Sequence, residues 1–191
     1  MDLPVLFTIG TLDDPKSALK FAQEHAHSLF EETGRVDPFF LLTPTVAIPA
    51  LGLGPPPAGT VLMGHTQFND ANVSKEFFSY IIRRMCRITK ASVCVFASES
   101  WHAGEATEKH YYREGMTPEQ FRDAMPENLE DAVGVEELVM LVYETVVGVG
   151  NHYQAPIQTV DGKRHLGDFK ALSQDFNFTG RMASFLTVDN A

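Results

Sequence analysis

The sequence predicts an α+β fold, one mainly antiparallel sheet flanked by two helices, and three observations carry that reading. Apolar residues recur at helical spacing in two stretches, about 15 to 33 and 73 to 88. Several shorter runs are rich in β-branched and aromatic residues, and the C-terminal ones are separated by turn residues rather than by helices. The order expected is α-β-β-α-β-β-β, with a long insertion after the central strand, in a single domain over residues 1–191.

The first helix is expected over Pro15–Thr33. Asp13 and Asp14 can cap free amides, Pro15 suits a first turn, and Gly34 suits a C-terminal stop. Ala18, Phe21, Ala22, His25 and Leu29 fall on one face. Phe39–Leu42 and Thr60–Gly64 then read as strands. Between them, a Pro/Gly-rich loop at 43–59 cannot be a regular helix. It is either draped over the core by Val46, Ile48, Leu51 and Leu53 or is a mobile flap.

A second helix, capped by Asp70 or Asn72, presents Val73, Phe77, Ile81, Met85 and Ile88 as its apolar stripe. Arg83, Arg84, Arg87 and Lys90 cluster in its last turns, where cations favour the negative end of the helix dipole. Val93–Ala97 is apolar at consecutive positions, which predicts a central strand covered on both faces. The runs 136–147, 153–160 and 163–166 form an antiparallel meander, the last turn made by Asp161-Gly162. The polar insertion at 99–135 contains one short helix, where Thr117 and Gln120 fit a capping box.

Composition bounds the function. With 44% hydrophobic and 21% charged residues, including 14 Phe, the chain suits one packed core. A formal net charge of −10 disfavours attraction to duplex nucleic acid or an anionic membrane. Cys86 and Cys94 belong to no C-x-x-C pair and read as buried, reduced thiols. The acidic N-terminus and the lack of a long apolar run point to a cytoplasmic protein, of the native cell or of an infected host.

Motifs for chemistry are fragmentary. His25-Ala26-His27 places two imidazoles on different faces of a helix. Gly64-His65 with Asp70 supplies only part of a zinc hydrolase pattern, so no bound metal and no cofactor are expected. Gly52-x-Gly54 and Gly148-x-Gly150 lack the rest of a phosphate loop. The richest constellation follows the central strand: Glu99, Trp101, His102, Tyr111, Tyr112, Arg113 and Arg122. There aromatic faces can stack on a planar ligand, guanidinium groups can take anionic oxygens and Glu99 can accept from an amino or hydroxyl group. The competing structural reading has the aromatics pinning the insertion to the sheet and the arginines in surface ion pairs.

The run Val93–Trp101, followed by Pro126-Glu127-Asn128 and the strand Glu137–Glu144, resembles a group of small uncharacterised bacterial and phage proteins. In those a strand ending Ser-Glu-Ala-Trp precedes a Pro-rich, acidic link to a second strand. Here Ser100 replaces the usual Ala, and the insertion before Pro126 is much longer. The resemblance implies a phage or mobile-element origin and carries no established activity. The leading expectation is therefore a non-catalytic binding protein that sequesters a small nucleotide-like ligand or blocks a host protein, with a homo-oligomer left open. One rival is a metal- or water-dependent hydrolase using Glu99, His102 and His65. The other is a protein-binding surface centred on the insertion.

Overall fold

The structure is a computed structural model and describes residues 5–12, 17–49, 52, 54–66, 75–128, 131–147, 150–172 and 185–186. The fold is α+β, and every strand pairing in it is antiparallel. In chain order the elements are β1 (Val5–Thr11), α1 (Ala18–Thr33), β2 (Phe39–Leu42), β3 (Thr60–Thr66), α2 (Lys75–Thr89) and β4 (Val93–Ala103). They continue with α3 (Glu105–Tyr111), α4 (Pro118–Ala124), β5 (Val135–Thr145), β6 (Gly150–Val160), β7 (Lys163–Leu166) and β8 (Lys170–Ala171).

The sheet runs β1-β3-β2-β4-β5-β6-β7, with β8 also on β6, so β4 is central as its apolar run demands. Both α1 and α2 connect strands that are parallel to each other and separated by one intervening strand. The two crossovers step the same way across the sheet but leave strands of opposite direction. A shared hand therefore requires the helices to lie on opposite faces. They do: Ala18, Ala22, Ala26 and Phe30 of α1 pack with Phe39, Leu41, Val95 and Val139. Phe78, Ile82 and Cys86 of α2 pack with Phe40, Leu42, Cys94 and Phe96 on the other side.

Three parts of the expected order need correction, the first being that five strands, β4 to β8, follow α2 where three are expected. A strand, β1, precedes α1; it lies at a sheet edge with Thr8, Ile9 and Gly10 exposed, so it lacks the buried run that marks an interior strand. There are four helices rather than two among the described residues. α4 begins with the expected capping box: Thr117 Oγ1 accepts from Gln120 N at 3.3 Å and Thr117 N donates to Gln120 Oε1 at 2.9 Å. α3 is a seven-residue helix without a side-chain cap and buries only Thr107, so no periodic stripe announces it.

The α2 stripe also shifts by one residue, about 100° around the axis. Phe78, Ile82 and Cys86 are buried, Ile81 and Met85 lie at the margin, and Phe77 and Ile88 are exposed; Val73 lies outside the described residues. Two adjacent apolar lines run down this helix, and ring packing decides between them: Phe78 meets Phe40 and Phe96 at centroid distances of 5.7 and 6.0 Å. The α1 stripe holds, with Ala18, Ala22, Ala26 and Phe30 innermost and Phe21, His25 and Leu29 beside them. Three alanines let the helix lie close to the sheet. The expected caps at Asp13, Asp14, Asp70 and Asn72 lie outside the described residues.

Ile48 of the Pro/Gly-rich loop is 2% exposed and anchors that loop to the α2-side core, as a draped loop requires; Leu51 and Leu53 lie outside the described residues. At the loop's end Gly59 has φ 82°, and a Cβ there would run into the Leu12 carbonyl. No helix among the described residues is long and apolar enough to cross a membrane.

Candidate functional site

The central strand is longer than its apolar run. It continues through Ser98–Ala103, so Glu99, Trp101 and His102 lie on β4 itself and not on a loop leaving it. Continuous pairing with β5 keeps the alternation of faces intact over this stretch. Val95, Ala97, Glu99 and Trp101 project on the α1 side, whereas Cys94, Phe96, Ser98 and His102 project on the α2 side. Glu99 and His102 are therefore on opposite faces of the sheet. The Glu99, His102 and His65 set expected for a hydrolase is not assembled.

The seven expected ligand residues divide into four places, one of them the α2 face of β4, where His102 lies. Glu99 and Trp101 share the α1 face of β4, and Trp101 is 39% exposed. Tyr111, Tyr112 and Arg113 sit at the end of α3, where Tyr111 Oη accepts from Val133 N at 3.0 Å. Arg113 Nη1 donates to the carbonyls of His110 and Tyr112 at 2.8 and 2.9 Å, closing the helix C-terminus. Arg122 lies on exposed α4, whose Phe121 meets Tyr112 edge to face at 6.1 Å. Arg113 is thus held by backbone carbonyls of its own helix end and not by the surface ion pair that the structural reading expected.

Glu99 stands in a different network, built around a residue that composition and spacing did not single out. Arg164 of β7 donates through Nη2 to Glu137 Oε1 at 2.6 Å and reaches Glu99 Oε2 at 3.5 Å. Its Nη1 donates to the Gly34 carbonyl at 2.6 Å, and its guanidinium lies over the Phe30 ring at 5.3 Å. Glu99 Oε1 accepts from Val36 N at 2.8 Å. One guanidinium thus ties the β6–β7 hairpin to the end of α1 and to β4 and β5. Glu137 pairs directly with Trp101, which brings Trp101 to the border of the same network. Sequence offered one usable signal: the Asp161-Gly162 hairpin, with φ of 52° and 76°, returns the chain so that Arg164 lies opposite Thr159.

Beside this network lies an open cleft of about 550 Å³. His27, Phe30, Glu31 and Gly34 of the α1 end form one wall, and Lys163, Arg164, His165 and Leu166 of the hairpin form the other. Its volume falls in the range of small-molecule sites. Arg164, held by Glu99, Glu137 and Gly34, shares the α1 side of β7 with Leu166, and Lys163 and His165 alternate with them; the charged and polar residues lining the cleft are His27, Glu31, Lys163, Arg164 and His165. Leu166 supplies apolar surface, while Phe30 is 4% exposed beneath the Arg164 guanidinium. His27, on a different face of α1 from His25, is half-buried at this wall, with its ring edge-on to Phe169 at 5.7 Å.

A second imidazole pair sits further along α1. The His25 ring stacks on Phe21 and meets Phe39 and His65 edge to face, at 4.9 Å and 5.1 Å for the latter two. Burial, then the neighbouring His65, push His25 below the ordinary imidazole range, with Glu32 opposing. Burial pushes His65 down as well, with Asp37 opposing. The Nε2 atom of His25 is buried and has no hydrogen-bond partner among the described residues. Asp70, the other half of the fragmentary zinc pattern, lies outside them. Among the described residues no three His, Cys, Asp or Glu side chains are grouped to hold a metal ion.

No protein family, no curated protein and no solved structure matches this chain.

Proposed function

We propose that this chain is a non-catalytic binding protein that holds a small, planar, anionic molecule of nucleotide-like chemistry in the cleft between α1 and the β6–β7 hairpin. The observation that carries the reading is the cleft: about 550 Å³, lined by His27 and Glu31 of α1 and by Lys163, Arg164, His165 and Leu166 of the hairpin. An anionic group would meet the cationic hairpin wall of Lys163, Arg164 and His165, a planar ring would lie against Leu166 and the Arg164 guanidinium, and Glu31 would accept from an amino or hydroxyl group. Arg164 also acts as a positioning residue. Its three partners fix the hairpin wall, so that wall is in place before a ligand arrives. Following the resemblance noted above, we infer a phage or mobile-element setting in which such a protein removes a host nucleotide from solution.

A thermal-shift and calorimetric panel of nucleotides, cyclic nucleotides and sugar phosphates tests this. One or more members should raise the melting temperature by mass action. Lys163→Ala with His165→Ala should weaken that ligand by at least about tenfold while leaving the unliganded melting temperature in place. A panel that shifts nothing would sink the reading.

A further inference from the structure

The charges of this chain are sorted along its central strand. Lys90 lies three residues before the start of β4 and Glu105 two residues after its end, and the strand between them spans ten steps, about 33 Å. Residues 77–90 carry Arg83, Arg84, Arg87 and Lys90 with no acid among them. Residues 104–136 carry nine Asp and Glu against three Lys and Arg. The molecule is basic at one end and acidic at the other.

Each charged region also exposes apolar side chains. The outward line of α2 presents Tyr80 at 55% and Ile88 at 48% exposure, interleaved with exposed Arg84 and Arg87; Arg84 Nη1 donates to Tyr80 Oη at 3.3 Å. A solvated helix face carries polar residues at such positions, whereas Tyr and Arg together are what protein interfaces concentrate. In the acidic region Tyr112 is 48% and Val133 52% exposed, set among exposed Glu114, Asp123, Glu127 and Asp131. Both surfaces have apolar anchors, and each carries the charge that the other lacks.

We propose that the occupant of the α2 face is a second copy of this chain, docked through its α3–α4 surface. The contact is head to tail: the basic face of one copy covers the acidic face of the next. Such a contact leaves a complementary surface free at each end, so it builds a row or closes into a ring rather than stopping at a two-fold dimer. The sorted charge orients the encounter and opposes basic-to-basic and acidic-to-acidic pairings.

Sedimentation of the full chain over a range of concentrations tests this. Raising salt from about 0.1 M to about 1 M shortens the screening length from roughly 10 Å to roughly 3 Å and should weaken association by at least about tenfold. Arg84→Glu with Arg87→Glu removes the basic face, and Glu114→Lys with Asp123→Lys and Glu127→Lys removes the acidic one. All five positions are exposed, and none of the three acidic ones is a first-turn carboxylate of a helix. Each variant alone should sediment as a monomer with an unchanged circular dichroism spectrum. Mixed together they should associate again, because the native pair of surfaces and the charge-swapped pair are both complementary. Arg84→Gln with Arg87→Gln provides a milder second variant and should also be monomeric. A wild-type chain that stays monomeric at low salt, or an assembly that persists through either charge reversal, overturns the proposal. So does a wild-type monomer whose α2 face takes up DNA or an acidic polypeptide instead.

Discussion

The ring of Phe40 lies over Gly64 on the neighbouring strand so closely that a Cβ on Gly64 would collide with it. Phe7 pairs with Gly64 from the other side and meets Phe40 edge to face at 6.1 Å. The glycine is the gap through which two aromatic rings on strands that do not pair come into contact. Gly64→Ala should therefore destabilise the protein by about 1 to 3 kcal/mol through overpacking, measured as a lower denaturation midpoint. A neutral result would mean the Phe40 ring can move aside at no cost.

The rotated α2 stripe is tested by a pair of truncations. Phe78→Ala should cost about 3 to 5 kcal/mol, because the ring is fully buried between Phe40 and Phe96. Ile88→Ala, on the exposed side, should stay within about 0.5 kcal/mol in stability. Equal losses at both positions would return the helix to the phase its sequence first suggests.

The His25–His65 pair predicts a stability that falls in mild acid. Both imidazoles are held below the ordinary value of 6.5, so below that pH the unfolded chain takes up more protons than the folded one. The pair's contribution is thus complete above about pH 6.5 and is lost as pH falls through the folded values. Urea unfolding at successive pH values should show a steeper acid decline for the wild type than for His25→Phe. Parallel declines would place the acid sensitivity elsewhere.

Cys86 and Cys94 face each other in the α2-side core, and burial, followed by contact with Cys86, pushes the Cys94 thiol well above its ordinary range. Native protein should react slowly with a thiol reagent and label completely only once denatured. Fast labelling of both cysteines in the native state would contradict this packing.

The sequence made the frame legible where burial is strong and periodic. Phe39–Leu42 and Val93–Ala97 are apolar at every position because a helix covers each face, and that pattern points to interior strands without further help. The α4 capping box and the Asp161-Gly162 turn were readable because local hydrogen bonds and positive φ select particular residue types. β1 and α3 were not, since an exposed edge strand and a two-turn helix bury too little to impose a pattern. The expected site scattered for a related reason. Proximity in sequence brought Glu99 and His102 together on paper, but strand parity sends them to opposite faces, and the partner Glu99 does find, Arg164, is 65 positions away. Contacts made by β-pairing across a sheet leave no local trace.

The interleaved order β1-β3-β2-β4 also governs how the chain can emerge from a ribosome. β2 has no neighbour to pair with until β3 arrives, and its second neighbour, β4, is made later still. Until then Phe39, Phe40, Leu41 and Leu42, fully buried in the finished fold, have no sheet to enter. The later strands β5, β6 and β7 each pair with the strand before them and can join as soon as they appear. The first third of the polypeptide is thus the part that must wait. Nascent chains ending before residue 93 should be more open to proteolysis and to chaperones at Phe39–Leu42 than the full chain, and protection there should be complete only once β4 has been synthesised.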